Sequence, residues 1–383
     1  MSTSVRVAKS TDAVPERVHA QLRNLVEGLA SRRRLHHVNL AVASADGGAH
    51  WAGAAGPERG TGPAVDPEAP FFIASITKRF IAALVLQAHE RGELDLDASV
   101  SACLPASVTT GLHVRGGVDR TPQITIRHLA SHTSGLPDFF ERRRGGTSLY
   151  RRLRAGQDTS WSFEDVVEIT RTQQRPHFDP QDLAARSQLA RYSDTGFQLL
   201  IRILEEATST PFPTLIADRI ASPLGLTRTW HPASEPPAGA APALPLHAGR
   251  RPVAVDGVIA SSNDLFSTTR DLLAFERALV AGTPFRDPAT RHLLTERRNR
   301  LRNIPVLRYG LGTMTFSVNR LAAPGREPLT LVGHSGSTGT WLFTCPELGV
   351  HVAGTVDQTQ AQSLPFRVMV RCLRIWAGGV GPS

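Results

Sequence analysis

Lysine is nearly absent from this chain, and its scarcity makes one spacing conspicuous. Of 43 basic residues only Lys9 and Lys78 are lysines, leaving 43 − 2 = 41 arginines. Lys78 follows Ser75 by three positions in Phe71-Phe72-Ile73-Ala74-Ser75-Ile76-Thr77-Lys78. A serine hydroxyl is a weak nucleophile until a neighbour removes its proton, and a partly desolvated lysine amine can do that. Arginine cannot, because its guanidinium stays protonated. The pair therefore suits acyl transfer through a covalent serine intermediate. A helix-capping serine followed by a surface lysine would leave the same letters, so the spacing alone does not decide.

Phe80, Ile81, Leu84, Val85 and Ala88 recur at helical spacing, which predicts an amphipathic helix after Lys78. Ser75 would stand at its start, where backbone N–H groups are unpaired, with Lys78 on the same face. Gly92 is placed to close that helix. Two further motifs carry chemistry. Arg191-Tyr192-Ser193-Asp194-Thr195-Gly196-Phe197 leads into a predicted helix over 195–207, with Phe197, Leu200, Ile201 and Leu204 along one stripe. A tyrosine beside a lysine can relay a proton once the cation lowers its pKa; Ser193, Asp194 or Thr195 would equally serve as a plain cap. Gly333-His334-Ser335-Gly336-Ser337-Thr338-Gly339 joins two predicted strands. Its small residues admit a ligand close to the backbone, and exposed N–H groups there can stabilise an oxyanion. An ordinary glycine-rich hairpin is the other reading.

The rest of the chain must position these stretches. Asp12 is placed to cap a helix running to about Arg34. His37 to Ala43 and the stretch around His50-Trp51-Ala52-Gly53 read as a strand pair joined by the 45–48 turn. Residues 56–70 form a loop that delivers the chain to Ser75. Residues 141–163, basic and irregular, read as an exposed flap; residues 232–252, rich in Pro, Ala and Gly, read as a long loop or linker. Asp271 to Val280 is helical. Strands are predicted at Leu329 to His334, Thr340 to Cys345 and Val350 to Val356, then a helix after Pro365 with Val368, Cys372 and Ile375 on one side.

Composition narrows the function classes. Apolar content of 41% and charged content of 20% are those of a soluble globular protein. No apolar run has the length of a transmembrane helix, and the stretch from Met1 to Glu16 lacks a signal-peptide core, so a cytoplasmic enzyme is expected. Cys103, Cys345 and Cys372 are widely spaced and read as reduced, buried thiols. The net charge of +9 is spread over scattered arginine clusters without interleaved aromatics, which argues against nucleic acid. Those clusters read as solvated faces, or as a basic rim that attracts an acidic donor or carrier. His128 and His132 lack the glutamate of a zinc-protease helix and read as parts of a structural turn.

With its three motifs in this order the chain resembles the serine β-lactamase and penicillin-binding-protein superfamily. The branch it looks most like comprises class C β-lactamases, D,D-peptidases and related serine esterases. The resemblance runs from about His37 to Trp376 and also includes Leu129-Ala130-Ser131-His132-Thr133-Ser134-Gly135-Leu136-Pro137, Pro223-Leu224-Gly225-Leu226 and Ser267-Thr268-Thr269-Arg270-Asp271-Leu272. It implies an α+β fold. An antiparallel sheet from residues 1–75 and 300–383 would be flanked by the terminal helices, a mostly helical body over 76–299 would be inserted, and the active site would lie between them. It also implies Ser75 as the acylated nucleophile, Lys78 as its proton acceptor and Tyr192 as the proton carrier. The N–H groups of Ser75 and Ser337 would form the oxyanion hole. His334-Ser335-Gly336 stands where many members carry Lys-Thr-Gly and would contact substrate. No metal or organic cofactor is implied.

One departure matters: Asp194 stands where the family pattern has asparagine. A carboxylate can hold Lys78 or accept a substrate N–H, but it cannot donate to a substrate carbonyl. That weighs against penicillin-type recognition. An α/β-hydrolase elbow at Gly333-His334-Ser335-Gly336 fails because Ser337 replaces its last glycine, and only His351 follows to complete a triad. A non-catalytic binding protein on the same fold is opposed by the joint presence of Ser75, Lys78 and Tyr192. The expected function is hydrolysis of a small ester or amide. The alternative is transfer of the acyl group to an amine or alcohol.

Overall fold

Large and small side chains alternate along the strand Val38–Ser44: Val38, Leu40 and Val42 point to one side, Ala41 and Ala43 to the other. All seven residues are buried, so this strand lies between two cores. In the computed structural model, which describes residues 5–8, 11, 13–56, 65–141, 146–318 and 328–379, it belongs to a nine-stranded sheet. The strands are β1 (Val5–Val7), β2 (Val38–Ser44), β3 (His50–Ala55), β4 (Asn299–Arg300), β5 (Leu307–Tyr309), β6 (Met314–Val318), β7 (Leu329–Gly336), β8 (Thr340–Cys345) and β9 (Val350–Thr355). Their order is β1-β3-β2-β9-β8-β7-β6-β5-β4, antiparallel at every pairing. The chain leaves this sheet after Ala55 and rejoins it at Asn299. The fold is α+β.

Helices α1 (Glu16–Ala30), α2 (Thr77–Glu90), α3 (Asp194–Thr208), α4 (Thr269–Ala281) and α5 (Leu364–Ala377) divide between the two faces. On one face α1 and α5 pack over Val38, Leu40, Val42, Trp51, Trp341, Phe343 and Val352. On the other, α4 approaches β2, β8 and β9, where the sheet presents Ala41, Ala52 and Ala353. Small side chains there let the helix backbone come close. Helix α2 lies deeper still. It was expected to be amphipathic, yet every residue from Thr77 to Ala88 is buried, as befits a helix surrounded by others. Phe80 stacks on Phe275 of α4 with ring centroids 3.7 Å apart. Beside them Arg79 Nη2 donates to both Glu276 oxygens, at 2.7 and 2.8 Å, and Nη1 donates to Thr313 Oγ1 at 2.7 Å.

Several boundaries differ from expectation. Helix α1 runs from Glu16, after Pro15, to Ala30; Asp12 and residues 57–64 lie outside the described residues. Of the region 141–163, the described residues 148–161 pack as a wall and are not an exposed flap. Ser148 caps a helix over Leu149–Arg154, and Leu149, Leu153 and Trp161 are buried against Phe72, Phe139 and Val258. In the sequence its apolar residues are matched in number by arginines, of which Arg142, Arg143 and Arg144 lie outside the described residues. Residues 232–252 are no free linker either: Leu246, His247 and Ala248 are buried, and Leu244 N–H donates to Pro70 O at 2.8 Å. Cys345 and Cys372 are buried as expected, but Cys103 is half-buried; all three are free thiols. Among the described residues no helix is long and apolar enough to cross a membrane.

Candidate active site

Ser75 sits in a short 3-10 turn, Ala74–Ile76, that runs directly into α2. Ala74 adopts φ +49°, a left-handed conformation that non-glycine residues rarely take. The turn is held from the sheet and from the approach to α4. Thr340 Oγ1 donates to Ile73 O at 2.9 Å, and Ile73 N–H donates to Leu265 O at 2.9 Å. The end of β7 comes so near that only glycine fits at 336. A Cβ there would fall 2.2 Å from Thr340 Oγ1 and 2.7 Å from Ile73 O. This contact places Ser337 beside Ser75, and among the described residues the Ser337 N–H donates to no protein acceptor. Two backbone donors can thus converge beside the Ser75 hydroxyl.

One helical turn on, Lys78 Nζ donates to Ser75 Oγ at 3.1 Å and lies 2.5 Å from Asp194 Oδ1. Lys78 is only 4% exposed. Burial pulls its pKa down, but the charges of Asp194 and Asp264, the Tyr309 hydroxyl and the hydrogen bond to Asp194 together outweigh burial and raise it above the ordinary lysine value. The resting group is therefore an ammonium, not the free amine expected from desolvation alone. Asp264 itself is pushed up to about 7, chiefly by burial, with Lys78 pulling the other way.

Tyr192 lines the same cavity as Ser75, and its ring centroid lies 5.3 Å from Lys78 Nζ. The sequence led us to expect a phenol acidified by the cation. Instead burial first, then the Asp194 charge, raises its pKa well above that of free tyrosine. Tyr192 stays a phenol and can carry a proton without being a resting base.

Behind Tyr192 lies a layer the sequence reading assigned differently. His334 was expected to contact substrate, yet it is fully buried and absent from the cavity wall. Successive residues of β7 face opposite ways, so with Ser335 on the cavity His334 turns inward. There its Nδ1 donates to Ser335 O at 2.8 Å, leaving Nε2 to accept from the Tyr309 hydroxyl at 2.9 Å. Burial and the Lys78 charge hold this imidazole well below its usual range, hence neutral. His132, at φ +60°, accepts from Ser193 N–H at 3.3 Å, and its ring lies 4.5 Å from that of Tyr192 and 4.3 Å from that of Tyr309. The turn containing His132 thus fixes the tyrosine.

Ser75, Lys78 and Tyr192 border a cavity of about 840 Å³, with the histidine and Tyr309 layer behind its wall. Ser75, Lys78, Tyr192, Asp194, Ser335, Gly336 and Ser337 all line it, as does Tyr150 from the 149–154 helix. The sequence reading missed Tyr309, Asp138 and Asp264. For Tyr309 a signal existed: the chain has only three tyrosines, Tyr150, Tyr192 and Tyr309, and all three stand at or behind this cavity. Among the described residues no cluster of three or more His, Cys, Asp or Glu could hold a metal ion.

Comparison with known proteins bears on the family and the fold. The chain is 30% identical over 210 residues to penicillin-binding protein 4 of Amycolatopsis lactamdurans, covering 54% of this chain and 48% of that one. It is 33% identical over 172 residues to the esterase EstB of Burkholderia gladioli, covering 45% and 41%. The matches span about half the length of these relatives. A crystal structure of a D-stereospecific amidohydrolase from Streptomyces sp. superposes with a TM-score of 0.71 at 23% identity, over 92% of this chain and 97% of that one. The beta-lactamase family model matches residues 22–367. That match takes in strands β2 to β9, the Ser75 turn, the Tyr192–Asp194 segment and the Gly336 edge, and the chain belongs to the beta-lactamase family.

Proposed function

We propose that this protein is a serine acyl-transfer enzyme that hydrolyses a small ester or amide through an acyl-enzyme on Ser75. The observation that carries the reading is the set of groups gathered at one hydroxyl: Lys78 Nζ at 3.1 Å from Ser75 Oγ, with the Tyr192 ring centroid 5.3 Å from the same Nζ, all three residues on one open cavity wall. The relatives named as an esterase and an amidohydrolase support it.

The chemistry follows from the charges. Lys78 rests as an ammonium and has no lone pair to offer. Its 2.5 Å contact with Asp194 provides a route: Nζ passes a proton to Asp194 and becomes an amine able to take the proton of Ser75. Ser75 Oγ then bonds to the acyl carbon while the carbonyl oxygen gains charge against the N–H groups of Ser75 and Ser337. Tyr192 delivers a proton to the departing alkoxide or amine and is reprotonated from Lys78. Water, deprotonated by the reverse relay, attacks the acyl carbon and releases the acid with Ser75 restored. Asp194 thus stands in the proton path, where an asparagine could only orient Lys78.

The test is intact-protein mass spectrometry after exposure to a fluorophosphonate and to short activated esters. A single adduct is expected on the wild type and none on Ser75→Ala. The speed with which water or added amines clear the acyl adduct separates hydrolysis from transfer. Absence of any adduct on the folded wild type would overturn the reading.

A further inference from the structure

Just beyond strand β9, two glutamines gather three arginine-bearing segments onto one face. Gln358 Nε2 donates to Arg34 O at 2.6 Å and to Gly249 O at 2.9 Å, and Gly249 N–H donates back to Gln358 Oε1 at 2.8 Å. Two residues on, Gln360 Nε2 donates to Arg154 O at 3.0 Å. The segments after Arg154 and Arg251 also touch: a Cβ on Gly156 would fall 2.2 Å from Val253 Cγ1. Arg34, Arg154, Arg250 and Arg251 stand at or beside these junctions, and all four are exposed. Among the described residues no carboxylate lies within ion-pair distance of any of them. Positive charges collected without partners repel one another, so this face gains when an anion arrives.

The face adjoins the cavity, because Arg154, Gln360 and Gln362 also line its wall. Lys78 and Arg154 are the two cations among the described lining residues, and Lys78 already lies against Asp194. An anion therefore finds free positive charge at the mouth and none beside Ser75. Deeper in, Phe72, Phe140, Leu153 and Val258 offer an apolar wall. The mouth suits a charged body and the interior an uncharged chain.

We propose that this arginine face docks a carboxylate-rich polypeptide that carries the acyl group as a side-chain ester, its acids held at the mouth while the acyl chain reaches Ser75. The proposal rests on the acyl-enzyme reading above and names the class of its donor. Three arginine-bearing segments make a surface wider than one small anion covers. Among the described residues no Phe, Tyr or Trp is exposed, so the face lacks the rings on which nucleic-acid bases stack. In the transfer step Ser75 Oγ bonds to the acyl carbon and the ester C–O bond breaks. The departing side-chain oxygen takes the proton that Tyr192 delivers, and the polypeptide leaves as the alcohol. Water then clears the acyl group from Ser75.

The experiment follows butanoate release at neutral pH from N-acetylated peptides that carry one O-butanoylserine flanked by glutamates or, in the control, by glutamines. For the wild type, kcat/KM on the glutamate peptide should exceed that on the glutamine peptide by about 10-fold or more at low ionic strength, within the reach of electrostatic steering. The ratio should approach one at roughly 0.5 M salt, where exposed charges are screened. The triple variant Arg34→Glu, Arg154→Glu, Arg250→Glu should bring the low-salt ratio to one or below. Arg286→Glu should keep the preference, since Arg286 N–H bonds Glu90 at the far end of α2. Because each ratio is taken within one variant, partial unfolding cancels. A wild-type ratio at or below one, or a ratio that survives the triple change, overturns the proposal. So does an equal loss in Arg286→Glu, which would make overall charge the cause, or a stronger preference for a butanoyl ester of glycerol phosphate, which would assign the face to a small anion. Fluorophosphonate labelling of Ser75 needs no acidic body, so a labelled enzyme without glutamate preference removes the role of the arginine face alone. An unlabelled enzyme that turns over neither peptide removes the acyl-enzyme reading as well.

Discussion

Asp194 gives this site its electrostatic character. Its carboxylate lies 2.5 Å from Lys78 Nζ and is the leading influence holding that buried amine protonated. Replacing it with asparagine keeps the shape and removes the charge. The Lys78 pKa should then fall, since burial, which lowers it, would meet less opposition. With no carboxylate to take the Lys78 proton, the accepting amine forms only by loss to solvent, so in Asp194→Asn kcat/KM for an uncharged ester should fall at neutral pH and rise with pH toward the lowered Lys78 pKa. A pH–rate profile checks this; a profile unchanged from the wild type would remove Asp194 from the proton path. At this scale much was legible. Lysine and tyrosine are so rare in the chain that chemistry is a natural reason to find them together. Asp138 and Asp264 were not legible, because acids are common in the sequence and only burial without a cation at ion-pair distance among the described residues distinguishes these two.

The elements hold the site through contacts distant in sequence. Arg79 follows Lys78 immediately and points the other way, into Glu276 of α4, which also accepts from Thr344 Oγ1 at 3.0 Å. This pair ties α2 to α4 and to β8. Both partners are almost fully buried, at 2% and 0% exposure, so removing one leaves a charge stranded in the core. Glu276→Gln should lower stability by about 3–5 kcal/mol, read as a fall in the urea midpoint at unchanged slope. The double variant Arg79→Met with Glu276→Leu should recover much of the loss. If the single change is neutral, the pair is not what joins these elements. The helical pattern of α2 was visible in the sequence. That Arg79 is buried was not, because its partner stands 197 positions away.

At the scale of the whole molecule, buried acids set how stability varies with pH. Asp357 is fully buried, accepts from Thr355 Oγ1 at 3.0 Å through Oδ1, and leaves Oδ2 without a partner among the described residues. Burial raises its pKa from 3.8 to about 8. The folded state therefore binds this proton more tightly than the unfolded chain. The stabilisation is fully present below pH 3.8 and is lost as pH rises through about 8. Asp264, pushed up to about 7, acts in the same direction. Thermal unfolding should show Tm falling between weakly acidic and weakly alkaline pH, and Asp357→Asn should flatten that fall. Parallel curves for the two proteins would exclude Asp357 as a source.

What the sequence determined by itself was local and periodic. The Ser75–Lys78 spacing, the helix stripes, the alternating strands near the C-terminus and the Tyr192 motif are each written within a few residues, where backbone geometry acts directly. Tertiary structure decided what depends on burial and on pairs far apart in the chain. It turned Lys78 into an ammonium by setting Asp194 against it, and it turned His334 inward to Tyr309. It also packed residues 149–161 into a cavity wall and left Asp138 as a buried carboxyl without a cation. A pKa and a side-chain direction are properties of surroundings, and those surroundings form only when the chain returns from Asn299 to close the sheet.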